Sequence, residues 1–190
     1  MRTIANYPAK IYIDGPDASG KSTIAQKFIE LYPNWDQIHL DASTPNDYIF
    51  HYDCIKRPEF LVYDRFMVSE MIYSIIYKRP CKLNYDRFME LWNDIMLSGS
   101  MYIILYTSDT SILRKRLLER GEIDYLLEIE QQNSLFRYWG NMLSSWKYPN
   151  FHLLDIADPN YDLNLKIALA DFAAWHEACN INIKETSKIE

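Results

Sequence analysis

The residues best suited to chemistry form one short segment near the start of the chain, Gly15-Pro16-Asp17-Ala18-Ser19-Gly20-Lys21-Ser22. This segment matches the pattern G-x-x-x-x-G-K-[ST], follows the apolar run Ile11-Tyr12-Ile13 and precedes an amphipathic stretch. Glycines in such a loop let backbone N–H groups wrap a chain of phosphates, and the N-terminus of the following helix attracts the same anion. The predicted phosphate-binding residues are Gly15, Asp17, Ala18, Ser19, Gly20, Lys21, Ser22 and Thr23.

The last three residues of this loop have predicted roles toward ATP and Mg²⁺. Lys21 is expected to reach the outer phosphates, Ser22 to ligate Mg²⁺, and Thr23 to contact an inner phosphate. The alternative is a chance match in a tight turn. Strand, motif and helix coincide in one early unit, which argues against chance.

A second motif ends another buried-strand pattern, Phe60-Leu61-Val62-Tyr63-Asp64-Arg65. Asp64 is placed where a carboxylate would lie beside the Mg²⁺, and Arg65 is a donor suited to a phosphate or an acceptor group. Hydrolysing motors commonly carry a second acid after this aspartate, and the guanine-reading pattern N-K-x-D does not occur in the sequence. The motif therefore favours a kinase. A helix cap followed by a surface cation is the alternative interpretation.

A basic run later in the chain predicts a lid over the phosphates, in the region of about residues 114–125. Arg116 and Arg120 are four residues apart, so on a helix they share one face, whereas Arg114 points elsewhere. Cations that close over a transferred phosphate neutralise charge and expel water, and Gly121 would supply a hinge. The alternative is a solvated helix end whose cations complement the helix dipole.

Apolar runs alternate along the chain with segments of helical period, and this pattern predicts the strands and helices that position these motifs. This alternation predicts an α/β fold with a parallel sheet wrapped by helices, in one domain over residues 1–190. Thr44, before Pro45 and Asp47, is predicted to cap the second helix. The predicted strands are Lys10–Asp14, Gln37–Asp41, Phe60–Asp64, Met101–Tyr106 and Phe151–Asp155. The predicted helices are Gly20–Leu31, Asn46–Ile55, Val68–Tyr77, Asp86–Leu97, Thr110–Glu119, Glu122–Trp146 and Asp162–Cys179.

Composition narrows the choice of partners and location. The net charge of −6 disfavours a large nucleic-acid partner, although DNA as an acceptor stays an alternative. Three widely separated cysteines, Cys54, Cys81 and Cys179, indicate neither a disulfide framework nor a zinc site and suit a reducing cytosol. Neither a signal peptide nor a membrane span is indicated, so we expect a cytoplasmic protein.

The combination of motifs resembles thymidylate kinase. The resemblance rests on Gly15–Ser22, on Asp64-Arg65-Phe66 continuing to Ser69 and Tyr73, and on Arg116 with the segment Arg120–Asp124. It implies a three-layer fold around a five-stranded parallel sheet, ATP–Mg as donor, a deoxynucleoside monophosphate as acceptor, and a homodimer. By this match Lys21 and Ser22 serve ATP–Mg, Arg65 holds the acceptor phosphate, and Arg116 and Arg120 form the lid.

The segment after the second predicted strand departs from that family. The family carries Arg-Glu-Pro there, whose arginine binds the acceptor phosphate, but this chain has the segment His39–Pro45. Asp41 resembles in position the carboxylate that deoxynucleoside kinases use as general base on a sugar hydroxyl, and a turn-capping role is equally compatible. A third acceptor is a hydroxymethyl group on a modified base, as in some virus-encoded P-loop kinases. A viral origin fits the compact size and trimmed motifs, and a nucleotide-binding module or slow NTPase is the remaining alternative.

Overall fold

A five-stranded, entirely parallel sheet forms the centre of the fold. The computed structural model describes residues 8–186, and side chains as far as residue 174, so Cys179 lies outside the described side chains. The strands lie in the order β2-β3-β1-β4-β5. Their bounds are β1 Ile11–Asp14, β2 Asp36–His39, β3 Leu61–Asp64, β4 Met101–Tyr106 and β5 Phe151–Asp155.

In the described part of the chain, seven α-helices and one 3₁₀ helix flank the sheet, and all but the last α-helix lie between strands. The α-helices are α1 Lys21–Leu31, α2 Tyr48–Lys56, α3 Met67–Ile76, α4 Tyr85–Leu97, α5 Ser111–Glu119, α6 Ile129–Ser144 and α7 Tyr161–Thr186. The 3₁₀ helix, Ile123–Leu127, precedes α6. Within residues 8–186 no helix combines the length and the apolar character needed to cross a membrane.

Successive side chains of each strand point to opposite faces of the sheet, so the core is divided between the two faces. Tyr12, Tyr63 and Tyr102 pack on one face with apolar side chains of α2, α3, α4 and α6. Ile11 and Ile103, together with other strand residues, pack on the opposite face against α1 and α7. The sheet therefore lies between two helical layers, which confirms the predicted three-layer α/β fold.

The start of α2 differs from the prediction. The helix is capped by Asp47, whose carboxylate accepts from Phe50 N at 2.8 Å, and the predicted cap at Thr44 is wrong. Asn46 has a φ of 51°, which breaks any helical run from Pro45. Thr44 Oγ1 instead accepts from Asp41 N at 3.1 Å. β2 ends at His39, so Asp41 lies in the turn that follows and not in the predicted strand.

The single helix predicted over Glu122–Trp146 is divided in two. Ile123–Leu127 is a 3₁₀ helix, α6 begins at Ile129, and α6 ends at Ser144. The apolar period that predicted one helix was misleading, because Ile123 and Leu127 are 63% and 93% exposed and do not form a buried face. A short, separate element thus follows the predicted hinge at Gly121.

Candidate active site

The phosphate-binding loop connects β1 to α1 and depends on two glycines. Gly20 has a φ of 95° at the N-cap of α1, a conformation that side chains disfavour. A Cβ at Gly15 would lie 2.9 Å from Leu105 Cβ, so the loop approaches β4 too closely for any larger residue. Both positions therefore require glycine, as the motif predicted.

Lys21 is the first residue of α1 and is buried. Its Nζ donates to the carbonyl oxygens of Gly15 and Pro16, at 2.9 and 2.7 Å. Burial, with a smaller contribution from Arg65, lowers the pKa of Lys21 to about 8, although Asp17 and Asp64 favour the charged form. A phosphate chain would replace these carbonyl contacts with stronger, charge-assisted ones.

The two predicted metal ligands lie in contact. Ser22 Oγ donates to Asp64 Oδ2 at 2.5 Å, and His39 Nδ1 lies 3.0 Å from the same oxygen. Asp64 Oδ1 is buried and has no hydrogen-bond partner among the described residues. A hydroxyl and a carboxylate with an uncommitted oxygen are ligands that Mg²⁺ takes alongside phosphate oxygens. These residues therefore fit the predicted Mg²⁺.

Arg65, the residue after Asp64, contacts the phosphate-binding loop. Its φ of 71° is uncommon for a residue with a side chain, and its N–H donates to Ile13 O at 2.9 Å. Its Nη2 donates to Asp17 Oδ1 at 2.5 Å, and the guanidinium carbon lies 5.1 Å from the Tyr73 ring centroid. Burial opposes ionisation of Asp17, but Arg65 and Lys21 together lower its pKa below the usual value.

Gln132 on α6 completes this network, and sequence reasoning missed it. Its Nε2 donates to Asp17 Oδ2 at 3.0 Å, and its Oε1 accepts from Asp17 N at 2.9 Å. Tyr73 OH donates to Asp17 Oδ1 at 3.3 Å. Gln132 is fully buried. It lies 115 residues from Asp17 in sequence and belongs to no local motif, so no sequence pattern identifies it. The loop, α3 and α6 are thereby joined at one carboxylate.

Asp14 fixes the segment that carries Arg65. Its carboxylate accepts from Phe66 N at 2.9 Å and from the hydroxyls of Ser69 and Tyr102. Asp14 is fully buried at the carboxyl end of β1, next to the end of β3. A carboxylate that ends a buried strand is the sequence signal that could have identified it.

The two predicted lid arginines both line a cleft that also contains the phosphate-binding loop. Arg116, near the end of α5, donates from Nη1 to Ala18 O at 3.0 Å. Arg120 caps that helix, and its Nη2 lies 3.4 Å from Glu122 Oε2. Arg114 pairs with Glu130 at 2.8 Å and is not among the residues that line the cleft. The structure thus brings Arg116, and not Arg114, to the phosphate-binding loop.

Asp41 also lines the cleft, but its carboxylate is engaged in a turn. Its Oδ1 accepts from Ser43 N at 2.8 Å and from Ser43 Oγ at 2.6 Å. These bonds lower the pKa of Asp41. The arrangement is that of a turn-capping residue at the edge of the cleft.

One cleft of about 1090 Å³ connects these groups. Ligand sites typically have volumes of about 300–1,000 Å³, so this cleft is slightly larger than the usual range for one drug-sized molecule. The loop residues from Asp17 to Thr23 line one part of it, and residues of α3 and the segment after it line another. The second part includes Ser69, Glu70, Tyr73, Tyr77 and Arg79.

Comparison with known proteins identifies the fold. No protein-family model matches the chain, and no curated protein matches it in sequence. The solved structure of YorR protein from Bacillus subtilis, in complex with phosphorylated GDP, is similar with a TM-score of 0.69 and 19% identity, over 89% of this chain and 98% of that one. Polyphosphate kinase 2 from Arthrobacter aurescens TC1 gives 0.62 and 12%, over 92% and 70%.

A deoxyadenosine kinase from M. mycoides with bound dATP is also similar, with a TM-score of 0.52 and 17% identity, over 87% of this chain and 99% of that one. The fold of this chain is therefore the three-layer fold of P-loop kinases.

Proposed function

We propose that this protein is a nucleotide kinase that transfers the terminal phosphate of ATP to a deoxynucleoside monophosphate. The observation that carries the proposal is the position of Arg65. It directly follows Asp64, the predicted metal ligand, is held in a left-handed conformation, and lines the cleft beside the phosphate-binding loop. A cation at this position holds an acceptor phosphate, whereas a water-activating enzyme would need an acid.

The donor end of the cleft would stabilise the transferred phosphate. Lys21 and the backbone of the loop bind the outer phosphates of ATP, and Arg116 and Arg120 close over them. Ser22 and Asp64 would hold Mg²⁺, which neutralises charge on the β- and γ-phosphates when bound. Closure of the lid expels water, so that transfer to the acceptor is favoured over hydrolysis.

An acceptor phosphate fits the site better than an alcohol does. A phosphate oxygen of the monophosphate forms a bond to the γ-phosphorus of ATP, the bond from that phosphorus to the β,γ-bridging oxygen breaks, and ADP leaves. No proton has to be removed from the acceptor, which is already an anion at neutral pH. Asp41, the candidate base for an alcohol, has a lowered pKa and is held by Ser43. Both features weaken it as a base.

The solved structures support a nucleotide as ligand. The deoxyadenosine kinase holds dATP, and the YorR protein holds a phosphorylated GDP. Thymidylate is the first acceptor to test, because the motifs around Arg65 and the lid resemble those of thymidylate kinase. The homodimer that this resemblance implies stays a prediction, and light scattering on the purified protein would test it.

Consumption of ATP against a panel of acceptors tests the proposal. The panel contains deoxynucleosides, their 5′-monophosphates and hydroxymethyl-containing DNA, each at equal concentration with Mg²⁺. We expect turnover with monophosphates only. Turnover with nucleosides or with DNA would shift the mechanism to Asp41 as base. Turnover independent of any acceptor would indicate a nucleotide-binding module or slow NTPase.

A further inference from the structure

A second ion pair lies in the same cleft, outside the motifs that predicted the phosphate site. Arg79 donates from Nη1 and Nη2 to the two carboxylate oxygens of Glu70, at 2.7 and 2.6 Å. Glu70 lies on α3, and Arg79 lies in the segment that follows this helix, where its backbone N–H donates to Ser74 O at 3.0 Å. Both side chains line the cleft. The pair is thus a fixed polar feature of the part of the cleft formed by α3 and the segment after it, which we call the acceptor half.

The pair presents hydrogen-bond donors to the cleft, and few acceptors. The Glu70 side chain is 1% exposed, whereas that of Arg79 is 34% exposed. Glu70 Oε1 also accepts from Lys82 N at 3.3 Å, so three donors already engage this shielded carboxylate. A guanidinium has five N–H groups, and Glu70 engages two Arg79 nitrogens in a planar, end-on fork. The remaining donors of Arg79 are available to a ligand.

Charge indicates which part of a nucleotide this pair would contact. Glu70 and Arg79 together are electrically neutral, as are Asp17 and Arg65. The attraction for a phosphate dianion is therefore strongest beside cations that have no carboxylate partner among the described residues, such as Lys21 and Arg116. The phosphate end has Lys21, Arg116 and Arg120 in addition to Arg65, and the N-terminus of α1 as well. The phosphates are therefore drawn to that end. A neutral group of the acceptor is left for Arg79.

We propose that the Glu70–Arg79 pair recognises the base of the acceptor nucleotide and selects bases with a carbonyl oxygen at the contacted edge. Thymine, uracil and guanine present such an oxygen, whereas cytosine and adenine present an amino group at the equivalent position. An amino group would place donor against donor, and an N–H of Arg79 that the bound base shields from water would then lack a partner, which is costly. Glu70 is a positioning residue, because it fixes the plane of the guanidinium. This inference rests on the proposed function, since it takes the cleft as an acceptor site.

Calorimetric binding of five 5′-monophosphates, dTMP, dUMP, dGMP, dCMP and dAMP, tests the pair without turnover. We expect the wild-type protein to bind the best carbonyl-bearing nucleotide at least about 10-fold more tightly than dCMP or dAMP. Arg79→Met should reduce this preference to within about threefold and leave ATP affinity unchanged, because it removes donors only from the acceptor half. Arg87→Met is the matched control, an exposed arginine of α4 that does not line the cleft.

A Glu70→Gln variant separates positioning from general damage. It should lower the preference while Arg79 stays cationic, with a melting temperature measured alongside. Equal binding of carbonyl and amino nucleotides by the wild-type protein, binding of none of the five, or an unchanged preference in Arg79→Met would each overturn the inference. An Arg79-dependent preference without any phosphate transfer would uphold the inference and refute the kinase proposal. Phosphate transfer without a preference among the bases would uphold the kinase proposal and refute the inference.

Discussion

The two halves of the cleft are built in different ways. The phosphate half comes from one contiguous loop, which carries Lys21, and from the strand end beside it, where Ser22 donates to Asp64. The acceptor half comes from α3 and the segment after it. It is joined to the loop by Tyr73, which donates to Asp17, and Asp17 in turn bonds Gln132, 115 residues away in sequence. A phosphate chain is the same in every nucleotide, so a local backbone motif suffices to bind it. An acceptor varies, and separate side chains must be collected to recognise it.

Removing the lysine of the phosphate half should have the largest effect. Lys21→Ala deletes the buried ammonium group that is proposed to bind the outer phosphates, and we expect kcat to fall about 100- to 1,000-fold. Lys166→Ala, at an exposed position of α7 outside the cleft, is the control. An enzyme unaffected by Lys21→Ala would refute the phosphate-loop assignment itself.

Removing Arg65, at the boundary of the two halves, should mainly lower the catalytic efficiency toward the acceptor. Arg65→Met leaves Asp17 buried without its cation, and we expect kcat/KM for the monophosphate to fall about 30-fold or more. Binding of ATP alone, measured by calorimetry, should change much less. Arg137→Met, an exposed arginine of α6, is the control. Loss of ATP affinity equal to the loss for the acceptor would place Arg65 in the donor site instead.

The pH dependence separates the two halves in the unmodified protein. Burial holds the pKa of Lys21 near 8, so the free protein loses this charge as the pH rises through about 8. The value of kcat/KM for ATP should therefore fall about 10-fold per pH unit above that point. The affinity for the acceptor monophosphate alone should fall less steeply, because Arg65 keeps its charge. A flat profile for ATP up to pH 9.5 would contradict the assigned state of Lys21.

The smallest effect is expected from the carboxylate at the edge of the cleft. Asp41→Asn should change kcat less than about twofold with a monophosphate acceptor, because a phosphate needs no general base. A general base is typically responsible for about 100-fold or more, so a loss of that size would establish Asp41 as base and an alcohol as acceptor. Rates with each acceptor of the panel, for wild type and variant in parallel, decide between them.

The sequence predicted the phosphate half because each of its features is local. Gly15 and Gly20 are required by the turn itself, and Asp64 follows from a short apolar strand. The parallel sheet was predicted for the same reason, since β1, β3, β4 and β5 are largely apolar runs of four to six residues.

Gln132 and the Glu70–Arg79 pair were missed because their contacts are tertiary. Gln132 has no neighbouring signal, and Glu70 and Arg79 become a pair only once α3 has formed and the chain turns back. The division of residues 122–146 was missed for a related reason: Ile123 and Leu127 continue an apolar period without being buried. Periodicity reports on burial only when the apolar face is covered.

The central claim is that both halves of the cleft act on one transferred phosphate, and the stoichiometry of products tests it most directly. Chromatography of the wild-type reaction with ATP, Mg²⁺ and the best monophosphate of the panel would measure ADP and deoxynucleoside diphosphate together. Equal amounts of the two products, with no ADP formed when the monophosphate is omitted, is the predicted result. ADP that accumulates without the diphosphate would contradict the account, because the phosphate would then pass to water.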